Sequence, residues 1–214
     1  MIDPEKLAER ARRQTEMTVL MLKLREEYVR FDAATTLGHR SESEAKSSVT
    51  RFTTPATEAD VVAAIEEMQH IKGKVYPKEP RFARIHETLL QGRITKAALD
   101  IWLRECLRTT FCSGNKYQPL PTHDEAWGIY SKVLTDTAPQ RYAAETLRST
   151  RPVKITDAEV RQAAEWGFWD DMPTSLHRRL YTMMPAGKRA DIYSRCTPEE
   201  AMHETRKHWD KTYV

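Results

Sequence analysis

Cysteine is scarce in this chain. The three present, Cys106, Cys112 and Cys196, match no zinc-binding spacing and leave at least one thiol without a disulfide partner. That pattern argues against a disulfide-stapled secreted domain and leads us to expect free thiols in the cytoplasm or another reducing intracellular compartment. Long hydrophobic runs are also missing. With no apolar run of about eighteen residues, no transmembrane segment is expected, and the N-terminus lacks the basic-then-apolar order of a secretory signal. Glycine occurs only seven times, nowhere with the spacing of a nucleotide-binding loop. The segment from Cys112 to Lys116, with Gly114 able to bend tightly, is the nearest approach and reads as a surface turn. Charge is close to balanced, 34 Lys and Arg against 31 Asp and Glu, and a net +3 neither demands nor excludes nucleic acid. No segment repeats at a fixed period.

What the chain has is amphipathic helical patterning. Asp3 can cap and Pro4 suits a first helical turn, so a long helix is expected from Asp3 to about Phe31. Its Met17, Met21, Leu24, Tyr28 and Phe31 recur at alternating spacings of four and three, and Leu20 widens that stripe. Asp32 to Thr54, with Gly38 and a polar run from Ser41 to Ser48, reads as a loop or hinge. Residues 1–50 are therefore expected to form an N-terminal helical arm and hinge, and 51–214 the main helical domain.

In that main domain Thr57 and Asp60 are spaced as a capping box ahead of Val61, Val62, Ile65, Met68 and Ile71, with a stop by Gly73. After Pro77 and Pro80, Phe82, Ile85, Leu89 and Leu90 predict a short helix ending at Gly92. Thr95 opens the densest apolar stripe of the chain, Leu99, Trp102, Leu103, Cys106, Leu107 and Phe111, which we expect to form the core with Trp127 and Tyr130. Further helices are predicted from Ala126 to Leu147, from a Thr156/Glu159 capping box with an Ile155/Val160 staple, between Pro173 and Pro185, and from Thr197, Pro198 and Glu200 to Trp209. The fold class is all-α, a multihelical bundle-like domain with a long N-terminal helix. Short strands near 74–76 or 151–155 are the competing architecture.

Chemistry is less well signalled. Glu67/His70 and Glu200/His203 repeat the Glu-x-x-His spacing of helical di-iron sites, but both pairs fall on the polar side of their helices, and no metal or other cofactor is expected. Cys106 lies within an apolar stripe, and Ser113, His123 and Asp124 lack a strand-to-helix nucleophile motif, so no catalytic residue is assigned and the chain reads as non-catalytic. The phrase from Ile85-His86-Glu87 to Gly92, followed by the Trp102 helix, resembles helical oxygenase or thiaminase-like folds over about 30 residues. It carries no complete active-site pattern and implies no catalytic role.

Association is better supported. Met17, Met21, Leu24 and Tyr28, with the concentrated aromatics Trp166, Phe168 and Trp169, are the candidate interface of an accessory, scaffold or regulatory protein that binds a protein partner or itself. The alternative is a nucleic-acid-binding regulator using Arg104, Arg108, Arg148, Arg151, Arg178 and Arg179.

Overall fold

The computed structural model describes residues 4–70, 80–112 and 123–212. Eleven α-helices occur among them, and the only strand-like pairing is an isolated antiparallel bridge between Pro55 and Thr95. The chain is an all-α, multihelical bundle protein with a long N-terminal helix. Residues 151–155 form no strand. The expectations placed on Ile71, Gly73, residues 74–76, Pro77, the segment 113–122 and the side chains of His70, Phe82, Phe111, Cys112 and His123 lie outside what is described.

The chain forms two compact units, residues 1–32 with 150–214, and residues 33–149. The expected boundary near residue 50 falls inside a helix. Helix α1 spans Pro4–Thr36, about 50 Å at 1.5 Å per residue. It ends in a Schellman motif: Gly38 adopts φ +81°, its N–H reaches the Thr35 carbonyl, and the His39 N–H reaches that of Ala34. Helix α2, Glu42–Thr53, then occupies most of the stretch read as a hinge. Its start is local chemistry, since the Ser41 side chain accepts from the Glu44 N–H. Its anchorage is a close-packed cluster in which Ala45 is buried with Ala33, Ala34, Ala143 and Leu147. So few large side chains are needed there that a count of bulky apolar residues misses the helix.

Unit 2 continues with α3 (Glu58–His70), α4 (Pro80–Gln91), α5 (Lys96–Cys112), α6 (His123–Asp136) and α7 (Ala138–Ser149). Thr57 and Asp60 cap α3 reciprocally, each backbone N–H meeting the other's side chain. The core gathers Val61, Met68, Leu89, Leu99, Trp102 and Tyr130, and the Trp102 indole donates to the Ala126 carbonyl at 3.1 Å. Trp127, expected in this core, is exposed instead and leans on Tyr130 with ring centroids 5.5 Å apart. One turn of helix carries Ala126 and Tyr130 inward and leaves Trp127 about 100° off that face. The left-handed residue closing α4 is Arg93, φ 47°, rather than Gly92. Gly92 matters for a different reason: a Cβ there would overlap the Tyr130 hydroxyl, so a larger residue would force that side chain to shift.

Unit 1 contains the first 29 described residues of α1 with α8 (Asp157–Glu165), α9 (Thr174–Met183), α10 (Ala186–Arg195) and α11 (Pro198–Trp209). Both capping boxes expected from the sequence are present, Thr156 with Glu159 and Thr197 with Glu200. Gly167, φ +82°, turns the chain after α8, with its N–H on Ala164 and that of Phe168 on Ala163. The turn sends Trp169 into the core, where its indole donates to the Ala164 carbonyl. Around it lie Leu20, Leu24, Val160, Leu176 and Leu180.

Candidate interaction surface

Helix α1 has two apolar faces. The inner one carries Leu20, Leu24 and Arg30, all buried, with Met17, Lys23 and Phe31 half-buried beside them. Lys23 is held to Glu159 at 2.5 Å, so one carboxylate both caps α8 and fastens α1 to it. The Arg30 guanidinium donates to the Thr150 carbonyl and hydroxyl at 2.6 and 2.5 Å. Arg13 stacks 6.0 Å from the Trp166 ring.

The outer face is unusual for its exposed hydrophobicity. Of the eleven exposed large apolar side chains among the described residues, six are on α1: Leu7, Val19, Met21, Leu22, Tyr28 and Val29. Leu22 is 57% exposed, Val19 49% and Val29 44%. Single exposed apolar residues are ordinary; here Val19, Leu22 and Val29 form a row along one side of the helix. The row borders a groove of 570 Å³ lined by Leu22, Arg25, Glu26, Val29, Arg30 and Arg151, among others, and the groove surface is mainly apolar.

The expected interface residues divide between these faces. Met21 and Tyr28 are exposed and Met17 is half-buried, but Leu24, at 0% exposure, is an internal core residue. Trp169 is likewise buried, and Trp166 and Phe168 pack half-buried against the same core, edge to face at 6.1 Å. Leu24 and Trp169 serve the interior of unit 1, and Trp166 and Phe168 border it. Leu22, Val19 and Val29 were missed because they lie off the four-three stripe that includes Leu24; their own spacing of three and seven residues is the signal that finds them.

The six arginines of the alternative reading fall in both units. In unit 2, Arg108 pairs with Glu105 at 2.7 Å, Arg148 with Glu145 at 3.7 Å, and Arg104 donates to the Asp100 carbonyl. In unit 1, Arg179 pairs with Asp157 at 2.5 Å, while Arg151 and Arg178 are exposed.

Among the described residues no group of three or more His, Cys, Asp and Glu side chains converges as a metal site would require. Glu200, half of one candidate pair, spends its carboxylate on the Thr197 cap, which holds it below its ordinary pKa. Burial, with a smaller effect from Glu105, pushes the Cys106 thiol up to about 12, which keeps it protonated and poorly nucleophilic. A second cleft, 280 Å³ in unit 2, has charged walls, but Arg51 already pairs with Asp100 and Lys96 with Asp60. No described helix is long and apolar enough to cross a membrane. Comparison with known proteins finds no matching family model, curated protein or solved structure.

Beneath the outer face, unit 1 carries two acid-sensitive contacts. His177 stacks on Trp169 at 5.3 Å with Nε2 against the Trp169 carbonyl, while its Nδ1 is buried without a hydrogen-bond partner. Burial lowers its pKa, outweighing the opposite pull of the hydrogen bond to the Trp169 carbonyl, while nearby Arg206 adds to the lowering and Asp170 opposes it. The unfolded chain therefore takes up the proton first. Stability from neutral His177 is full above about pH 6.5 and is lost as pH falls below that toward the depressed folded value. Glu159 is lowered to about 2, first by Lys23 and then by the Thr156 cap, so its contribution holds above about pH 4.5 and is lost on the way down to about 2. Urea midpoints should fall between pH 7.5 and 5.5, and His177→Gln should flatten that step. An unchanged slope in His177→Gln would remove His177 as its cause.

Proposed function

We propose that this protein is a non-catalytic accessory, scaffold or regulatory protein that acts by helix-mediated association through the outer face of α1. The observation that carries this reading is the row Val19, Leu22 and Val29, flanked by Met21 and Tyr28, exposed on a helix whose opposite face is fully engaged in its own core. Such a face suits another helix laid along it, because residues three, four and seven apart form a continuous strip. Met17 lies at the edge of that strip; Leu24, Trp166, Phe168 and Trp169 support it from inside.

Replacing Leu22 and Val29 together by Asp places charge in the strip without touching the core. Complexes isolated with the full chain under native conditions should be lost from this variant while its far-UV dichroism and melting temperature stay unchanged. Retention of the same complexes by the folded variant would remove α1 as the contact.

Nucleic-acid association through Arg104, Arg108, Arg148, Arg151, Arg178 and Arg179 is the second reading. It draws on the exposed Arg151 and Arg178, and it is weakened by the carboxylates already paired with Arg108, Arg148 and Arg179. Binding to mixed nucleic acid that falls steeply with salt, and is lost in Arg151→Glu/Arg178→Glu, would support it; absence of binding at low salt would end it.

A further inference from the structure

The outer face of α1 changes in side-chain size along its length. One strip of α1 positions, spaced alternately three and four apart, runs along the side away from the core and is exposed throughout. They are small in the N-terminal half, Ala8, Ala11, Thr15 and Thr18, and larger in the C-terminal half, Leu22, Arg25 and Val29. Positions at this spacing lie along one side of a helix and can line a seam with a second helix. The two threonines are suited to a dry seam, because their hydroxyls already donate to the Ala11 and Gln14 carbonyls of their own helix at 3.0 and 2.9 Å and leave methyl groups to face outward.

We propose that α1 pairs antiparallel with α1 of a second copy of this chain, an inference that rests on the association reading above and names its partner. A parallel pair would set small residues on small ones, leaving gaps, and Arg25 on Arg25. The antiparallel pair sets Thr18 opposite Leu22, Ala11 opposite Val29 and Thr15 opposite Arg25, so large fills small in each layer. On the flanks, Val19 meets Val19 and Met21 meets Met21 across the two-fold axis. Exposed Arg12 of each copy lies beside exposed Glu26 of the other, giving two reciprocal ion pairs. The groove beside Leu22 and Val29 then receives the small-residue half of the second copy's helix.

Sedimentation equilibrium of the purified full chain from about 1 to 100 µM tests this. A dimer is expected, with its dissociation constant raised about tenfold by Arg12→Glu or by Glu26→Arg and restored when both are present in one chain. A monomer at every concentration, or a dimer indifferent to either reversal, would overturn the pairing. The wider reading fails separately: it survives if Leu22→Asp/Val29→Asp still releases a different partner, and it falls if that folded variant releases none.

Discussion

Trp102→Ala should destabilise unit 2 by about 3–5 kcal/mol, among the largest effects of any single truncation in the chain. The Trp102 side chain is completely buried between Val61, Leu89 and Tyr130 of the same cluster, and its indole holds the Ala126 carbonyl at the start of α6. Truncation removes apolar contact, opens a cavity and leaves that carbonyl without the indole donor, three costs that act in the same direction. Trp102→Phe retains most of the volume and loses the donor, so it should cost less. Chemical unfolding of both variants checks the order; equal and small losses would mean that the core is centred elsewhere.

Leu24→Asp should abolish the folding of unit 1, whereas Leu22→Asp, two residues away, should leave it folded. Leu24 is fully buried among Leu20, Val160 and Leu180, and a carboxylate there has no partner to offset the loss of water, a cost of several kcal/mol against a stability of about 5–15 kcal/mol. Leu22 projects about 200° away from Leu24 on the helix and is already hydrated. Tryptophan emission from Trp166 and Trp169 reports the difference: loss of native emission in the first variant and retention in the second. Equal behaviour of the two would contradict the two-faced description of α1.

The sequence made some of this plain and concealed the rest for physical reasons. Capping boxes at Thr156 and Thr197 are written in four consecutive residues and form as expected, because a helix start depends on local hydrogen bonds. The stripe through Leu99, Trp102 and Leu103 was equally legible, since large side chains at helical spacing have few other places to go. Helix α2 was concealed by its composition: alanine contacts hold it, and alanine leaves no hydropathy signature. Helix α10 between Pro185 and Cys196 went unread as well, with Ile192 its single buried residue.

At α1 the pattern was visible and its allocation was not. The row Met17, Met21, Leu24, Tyr28 and Phe31 lies along the border between two faces, so it contains one fully buried residue, two half-buried ones and two exposed ones. Hydropathy alone cannot divide such a border. The division comes from what covers the helix, namely Val160 and Leu180, which belong to elements more than a hundred residues away.

Hydroxyl-radical footprinting of the associated and the diluted chain tests most directly whether α1 is the contact surface. Association should protect Val19, Met21, Leu22, Tyr28 and Val29 together, while the exposed Trp127, Tyr142 and Tyr193 keep their reactivity. Unchanged reactivity along α1, with protection appearing at Trp127, Tyr142 or Tyr193, would contradict the account.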